Sequence, residues 1–173
     1  VYKRQDHDDA VFVDTSGGGP PRLWVAIADV SHFVAPGSAL DRSAWARGNS
    51  VYFPGRAIPM LPERISSDLC SLRPEVDRLV LAVEMEVDDD GAFRNPRFHS
   101  GVFRSRQRLS YAQAEVVLSG SQLPRPPERD GEPPALDEGV EEQLRALGAV
   151  TARMAKRRFA ALSIDFDLPQ PEV

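Results

Sequence analysis

The sequence has little of what marks secreted, membrane-embedded or charge-driven nucleic-acid-binding proteins. It contains a single cysteine, Cys70, which excludes an intramolecular disulfide and favours a reducing compartment, so we expect a cytoplasmic protein. No apolar run approaches the length of a membrane span, and no signal peptide opens the chain. The formal net charge is −5, which argues against a module that binds nucleic acid by charge alone.

The remaining composition is typical of a globular protein, with 42% hydrophobic and 27% charged residues. A length of 173 residues fits one domain or a large piece of one. Because the chain begins with Val1 rather than Met, we expect a fragment of a longer protein.

The most unusual stretch is Asp6-His7-Asp8-Asp9, which places three carboxylates within four residues. Neighbouring carboxylates repel one another, and a divalent cation such as Mg²⁺, which prefers hard oxygen ligands, relieves that repulsion. The segment Ala10–Asp14 follows as a predicted strand, so the acids would stand at its leading edge. The alternative is a solvated acidic turn, and for this tetrapeptide taken alone that alternative is favoured.

A second strand, Arg22–Val30, is predicted after a turn rich in glycine and proline, and the two strands form a hairpin. The run Trp24–Ala28 is continuously apolar, which is typical of a strand covered on both faces. Asp29 closes that run. Two interpretations of Asp29 weigh evenly: it joins the acidic cluster, or it caps the next turn.

Ser38 is expected to cap a helix that runs to about Arg47, with Leu40, Ala44 and Trp45 on one face. The stretch from Ser50 to Gly55 is expected to be irregular. Pro54, Pro59 and Pro62 then forbid a long helix and favour an ordered loop, followed by a short helix over residues 64–67.

A second hairpin is predicted from Leu79–Val87, an Asp-Asp-Asp-Gly turn, and a return strand from Ala92 to about Leu109. The acidic run at the turn is interpreted as turn chemistry. On the return strand Arg104, Arg106 and Arg108 would share one face. Such a face is either solvated strand surface, the commoner case, or a set of phosphate contacts.

The last third is predicted to be mainly helical. Ser110 begins one helix, and Leu136 to Leu162 forms the longest one, whose basic last turns complement its negative end. Between them, Gly120 to Pro134 has too few apolar groups to fold and is interpreted as a mobile insertion. Ser163–Leu168 is predicted to be a strand.

Several motifs that follow one another along the chain together resemble the catalytic RNB domain of the ribonuclease II and ribonuclease R family. The resemblance continues at Arg78-Leu79 and at Ser105–Tyr111, and the stretch around Trp24–His32 is more similar to ribonuclease R. The motifs are Asp6–Val11, Leu23–Ser31, Pro36–Asp41, Ser50–Pro54, Ile58–Glu63 and Leu69–Leu72.

The resemblance implies a processive 3′-to-5′ exoribonuclease that hydrolyses single-stranded RNA to nucleoside 5′-monophosphates. It implies that Asp6, Asp8 and Asp9 hold Mg²⁺ at the scissile phosphate. Tyr52 would stack near the 3′-terminal base, and Tyr111 would read the ribose. His7 stands where the family usually has Phe or Met, and we interpret it as a tolerated substitution.

Elementary chemistry agrees with this assignment, since metal ions held by carboxylates can activate water and neutralise phosphate charge. No Ser–His or Cys–His arrangement competes for the chemistry. Tyrosine rings stack on any base, and a hydroxyl near the 2′-OH can distinguish RNA from DNA. For Tyr52 and Tyr111 taken alone, packing at the edge of a core is the favoured alternative.

Two parts of the family pattern are absent from these 173 residues: one acidic residue about six positions upstream of Asp6, and the C-terminal half of the domain with its arginine-rich segment. The flanking cold-shock and S1 domains are absent as well. We therefore expect residues 1–173 to be the N-terminal part of an RNB catalytic domain, with a flexible insertion at 120–135. The piece should be monomeric and weakly active or inactive by itself.

The expected fold class is α+β, a largely antiparallel sheet with packed helices and a channel that leads to the acids. Two other functions are weighed against the exoribonuclease. One is a non-catalytic RNB-like scaffold that binds RNA or protein, which would gain nothing from three crowded carboxylates. The other is an unrelated Mg²⁺-dependent phosphohydrolase, against which the order of the motifs argues.

Overall fold

The computed structural model describes residue 7 and residues 9–53, 56–120 and 136–161. Within these ranges six strands, four α-helices and one π-helix alternate along the chain. They are β1 (Asp9–Asp14), β2 (Arg22–Ala28), α1 (Val30–Phe33), α2 (Ala39–Arg47), β3 (Val51–Phe53), β4 (Arg56–Ile58), the π-helix (Arg64–Leu69), β5 (Asp77–Val87), β6 (Phe93–Arg104), α3 (Tyr111–Ser119) and α4 (Glu138–Ala160).

The centre of the molecule is a four-stranded sheet in the order β1-β2-β5-β6. Every neighbouring pair of strands in it is antiparallel, and β1 pairs with β2 from Asp9 opposite Ile27 to Asp14 opposite Arg22. The predicted α+β class with a largely antiparallel sheet is therefore confirmed, as are both predicted hairpins.

Side chains on β2 alternate between two faces of the sheet, and each face supports its own core. The α4 core lies on the first face, where Val13, Leu23 and Val87 pack against Val150 of α4. The loop core lies on the second face and joins strand residues to the chain around the π-helix. Its buried members are Ala26, Ala28, Ile65, Cys70, Leu72 and Val80.

The prediction that β2 is covered on both faces is wrong at its C-terminal end. Ile27 is 51% exposed, and Leu81, its partner on β5, is also exposed. The two cores cover different parts of the sheet, so the first face is left open beyond the reach of α4. A continuously apolar strand sequence does not distinguish this arrangement from complete burial.

A buried carboxylate lies on the second face, beyond the loop core. Glu84 of β5 accepts a hydrogen bond from Arg22 Nη1 at 3.3 Å and lies 3.1 Å from His99 Nε2. The rings of Trp24 and His99 pack with their centroids 5.0 Å apart. Because a buried charge is tolerated only when polar groups pair with it, these contacts explain how an acid is accommodated inside the sheet.

Two of the helix caps follow their sequence signals closely. Ser38 accepts a hydrogen bond from the Asp41 amide at the start of α2, and Ser110 and Gln113 form a reciprocal capping box at the start of α3. The prediction for Trp45 is wrong, since its side chain is 87% exposed while Ala44 is buried.

The predicted face of three arginines is wrong, because β6 ends at Arg104. Ser105 then makes an isolated parallel bridge with Pro74, so Arg106 and Arg108 follow the strand rather than continue it. Arg104 itself donates to Asp77 at 2.7 Å, and this hydrogen bond holds the pKa of Asp77 below its usual range.

The turn between β5 and β6 docks on the last third of α4. Asp89 and Asp90 form ion pairs with Arg153 and Arg157, at 3.5 and 2.6 Å. The interpretation of this acidic run as turn chemistry is confirmed, and the helix arginines pair with it. Among the described residues, no helix is both long enough and apolar enough to cross a membrane.

Two predicted segments near the C-terminal end fall on residues outside the described ranges, wholly or in large part. The proposed insertion is described only at Gly120, which ends α3 in the left-handed conformation. The strand predicted at Ser163–Leu168 lies wholly outside.

Gly91 is the residue that permits the β5–β6 turn to pack closely against α4. Its φ is +78°, and a Cβ there would lie 2.5 Å from the carbonyl oxygen of Arg153. Gly91→Ala should lower the free energy of unfolding by about 1–2 kcal/mol through backbone strain and by a further ~1–3 kcal/mol through overpacking. Urea unfolding of the chain measures the sum of these two losses in the free energy of unfolding.

The matched control is Gly18→Ala, since Gly18 also has positive φ, at +63°, but no atom within 4 Å of a new Cβ. It should show the strain contribution alone. Equal losses in the two variants would contradict the docking of the turn on α4.

Candidate functional site

The acidic segment begins β1, and only part of it lies in the described chain. Asp9 is the first residue of β1, is exposed, and pairs in the ladder with Ile27. This confirms for Asp9 the expectation that the acids stand at the leading edge of a strand. Asp6 and Asp8 lie outside the described residues.

His7, between Asp6 and Asp8, is held to the chain that follows the π-helix. Its carbonyl oxygen accepts from the Leu72 amide at 2.7 Å, and its amide donates to Ser71 Oγ at 3.2 Å. Ser71 is fully buried, and Leu72 belongs to the loop core. We call the two hydrogen bonds that join His7 to Ser71 and Leu72 the backbone clamp.

An ion-pair network contacts the backbone clamp at Ser71. Arg78 donates through Nε to the Ser71 carbonyl oxygen at 2.9 Å and through Nη2 to Asp68 Oδ1 at 3.3 Å. Arg73 pairs with the same Asp68 oxygen at 2.5 Å. One guanidinium therefore ties the end of the π-helix to the residue that bonds His7.

The π-helix is the local reason that this chain reaches His7. Pro62 lacks an amide donor, and its carbonyl oxygen accepts from the amides of Ile65 and Ser66 as the helix begins. At the other end the Cys70 amide donates to Ile65, five residues back, which closes the wide turn. The expected short helix is therefore present, but it runs to Leu69 and is wider than an α-helix.

Asp29 caps a helix, which is one of the two roles predicted for it, the other being membership of the acidic cluster. Its carboxylate accepts from the Ser31 hydroxyl at 2.6 Å and from the His32 amide at 3.1 Å, at the start of α1. The Ser31 hydroxyl is the larger cause, and the His32 amide a further one, that holds the pKa of Asp29 below its usual range. Its backbone amide bonds to Leu79 of β5.

Tyr52 lies on a small hairpin where an irregular stretch was expected. It sits at the centre of β3, pairs with Ala57 of β4, and is 53% exposed. The base of the hairpin is closed by the Met60 amide, which donates to Ser50 Oγ at 2.9 Å, and by Arg47, which donates to the Pro59 carbonyl. An exposed aromatic ring on a fixed two-stranded support can stack on a flat partner.

Tyr111 is the first residue of α3 and is 98% exposed. The Ser110 capping box fixes the backbone from which it projects. Core packing is therefore not its role in the described chain. Asp9, Tyr52 and Tyr111 occupy β1, β3 and α3, and no hydrogen bond or ion pair between described residues joins Asp9 to either tyrosine.

The donor set of the acidic segment fits a hard divalent cation. Carboxylate oxygens are the ligands that Mg²⁺ prefers, and Asp9 offers one without an ion-pair partner among the described residues. Asp6 and Asp8 would supply the others. Within the part of the chain that the structure describes, no group of three His, Cys, Asp or Glu side chains forms a metal site.

Ser71 and Arg78 were not predicted to serve this site. The available signal was weak: a serine between Cys70 and Leu72, in an otherwise apolar run, is a polar group that must find a partner when buried.

Comparison with known proteins identifies the class of domain. The RNB domain family matches residues 2–173, so the chain belongs to the RNB domain family. Its curated relatives include ribonuclease R proteins, which confirms the resemblance to the ribonuclease II and ribonuclease R family. The protein from Acidithiobacillus ferrooxidans is 44% identical over 162 residues, covering 94% of this chain and 35% of that protein. The Escherichia coli protein is 50% identical over 118 residues, covering 68% and 14%.

Solved structures give the same result. RNase R from Mycoplasma genitalium in complex with ribose methylated single-stranded RNA superimposes with a TM-score of 0.76 at 32% identity, covering 90% of this chain and 23% of that one. Yeast Ssd1, a pseudonuclease, has the same fold with a TM-score of 0.67 at 22% identity, covering 88% and 17%. The chain thus spans about a third or less of the length of these proteins.

Proposed function

We propose that the complete protein carrying this chain is an Mg²⁺-dependent exoribonuclease that degrades single-stranded RNA processively from its 3′ end to nucleoside 5′-monophosphates. The observation that carries the proposal is Asp9 at the ordered leading edge of β1, in a chain of the RNB family. The RNase R of Mycoplasma genitalium, which shares the fold, is known in complexes with single-stranded and with double-stranded RNA.

In the proposed site Asp6, Asp8 and Asp9 hold the metal. Bound Mg²⁺ would lower the pKa of the attacking water and neutralise the scissile phosphate. Tyr52 would orient the 3′-terminal base by stacking, and the Tyr111 hydroxyl would hydrogen-bond the ribose. The exposure of both rings and the fixed backbone beneath each support these two roles.

A non-catalytic scaffold is the second candidate function, because yeast Ssd1, a pseudonuclease, has the same fold. A pseudonuclease shares this architecture, so the architecture by itself does not establish hydrolysis. The acidic segment separates the two functions, because a scaffold has no use for its repulsion.

The first prediction tests the acids on the complete protein. With 5′-labelled single-stranded RNA and Mg²⁺, the wild type should give a ladder that shortens from the 3′ end, and Asp8→Asn should abolish it. Asp29→Asn is the matched control: Asp29 caps α1, and Asn keeps a capping oxygen, so the ladder should persist. RNA bound but unshortened by the wild type would favour the scaffold.

The second prediction concerns the 173-residue chain by itself. Its net charge of −5 gives little electrostatic attraction for RNA phosphates, so trimming of single-stranded RNA should be weak or absent. Single-turnover assays with enzyme in excess compare it with the complete protein. Equal rates would show that the piece is self-sufficient.

The third prediction concerns the stacking role of Tyr52. Tyr52→Ala in the complete protein should weaken binding of the RNA 3′ end by about 1–3 kcal/mol, or about 5- to 150-fold in Kd. Trp45→Ala removes another exposed aromatic ring, from α2, and should leave the Kd unchanged. Fluorescence anisotropy with Asp8→Asn as the background avoids degradation during the measurement.

A further inference from the structure

We propose that Ser71 and Arg78 are positioning residues that hold the acidic segment in the conformation that binds a divalent cation. The inference rests on the proposed function, since it takes Asp6, Asp8 and Asp9 as the metal ligands. Neither side chain is proposed to touch the metal or the RNA. Both would act through the backbone of His7.

The backbone clamp holds the acidic segment at His7. Both polar backbone groups of His7 are engaged, by Leu72 at 2.7 Å and by Ser71 at 3.2 Å. His7 is directly bonded to Asp6 on one side and to Asp8 on the other. The clamp therefore fixes the amide and the carbonyl group of His7, the residue to which both neighbouring acidic residues are covalently joined.

The two described residues of the acidic segment, His7 and Asp9, are each held by backbone hydrogen bonds. Asp9 is fixed by the ladder between β1 and β2, and His7 by the backbone clamp. Ser71 follows Cys70 and precedes Leu72, both buried in the loop core against Ala26 and Ala28 of β2. The clamp and the strand that carries Asp9 thus rest on the same sheet.

Arg78 holds the chain that carries Ser71. Its side chain is only 11% exposed, and its guanidinium bonds the Ser71 carbonyl oxygen and Asp68 at the same time. The planar fork of arginine makes two such contacts from one side chain, which a lysine ammonium cannot reproduce. Arg78 therefore fixes the peptide group between Ser71 and Leu72, whose amide donates to the His7 carbonyl oxygen.

The geometry of a metal site responds to such support. Residues that orient metal ligands typically change metal affinity by about 10- to 100-fold when they are mutated. A residue that only stabilised the fold would change the unfolding transition and leave the affinity of the folded protein for metal unaltered. Metal affinity therefore separates positioning from simple stabilisation.

The experiment uses the complete protein and titrates it with Mn²⁺ as a spectroscopic substitute for Mg²⁺, without RNA, following free Mn²⁺ by electron paramagnetic resonance. Arg78→Lys and Ser71→Ala are the test variants, and Asp8→Asn identifies binding at the acidic segment. Arg104→Lys and Ser66→Ala are matched controls: Arg104 is exposed, Ser66 is half-buried, and among the described residues neither forms a hydrogen bond or ion pair with the clamp.

We expect the Mn²⁺ Kd to rise about 10-fold in both test variants and to stay unchanged in both controls. The Mg²⁺ concentration for half-maximal RNA degradation should rise in parallel, and excess Mg²⁺ should restore the rate. RNA affinity measured in EDTA should not change. Circular dichroism confirms that each variant is folded at the temperature of the titration.

The outcomes separate the two proposals. Equal Kd values in Arg78→Lys and Arg104→Lys overturn the positioning role and leave the exoribonuclease standing. Asp8-dependent Mn²⁺ binding that weakens in the test variants, without RNA shortening by the wild type, overturns the exoribonuclease and supports positioning. Absence of any Asp8-dependent Mn²⁺ binding overturns both.

Discussion

The structure depends on the pairing of β2 with both of its neighbours. β1 and β5 lie antiparallel on its two sides, so the row through Ile27 continues to Asp9 on one strand and to Leu81 on the other. A shift of one residue in either ladder would exchange the faces of every side chain on that strand. The register therefore decides at once which residues build the α4 core, which build the loop core, and where Asp9 stands.

The two cores cover opposite faces of this sheet, and each core holds a different part of the chain in place. Packing in the α4 core holds the β5–β6 turn against α4. Gly91 permits close approach of the two backbones there because it has no Cβ. The loop core draws the π-helix and the residues after it against β2, and thereby brings Ser71 to His7. Packing in the loop core thus sets the position of the His7 backbone.

The sequence predicted what local chemistry determines. The caps at Ser38 and Ser110 and the turn ending in Gly91 were found because each signal lies within a few residues of its effect. Long-range effects were missed. Ile27 is exposed because the reach of α4 limits its cover, and Ser71 lies 64 residues from the amide that it accepts from, so no periodic pattern could link the two.

The acidic segment shows the same division. Family motifs selected Asp6, Asp8 and Asp9, but nothing in their spacing indicates how the backbone between them is held. The extent of β6 was also misjudged, since alternating arginines continue past Arg104, where the strand ends and Ser105 turns to bridge Pro74. The metal-binding role of these residues stays a prediction, and the contacts that support His7 were not predicted from residue type.

Magnitudes indicate why such supports matter here. Two like charges about 4 Å apart repel by about 1 kcal/mol in water, and more where solvent is partly excluded. One hydrogen bond contributes about 0.5–1.5 kcal/mol to stability, so the two bonds to His7 are comparable to the repulsion that they oppose. Neither force dominates, so the proposed site is expected to respond to small changes in the support of His7. A cation bound as proposed would offset the repulsion between the carboxylates, so metal binding and the backbone clamp should reinforce each other.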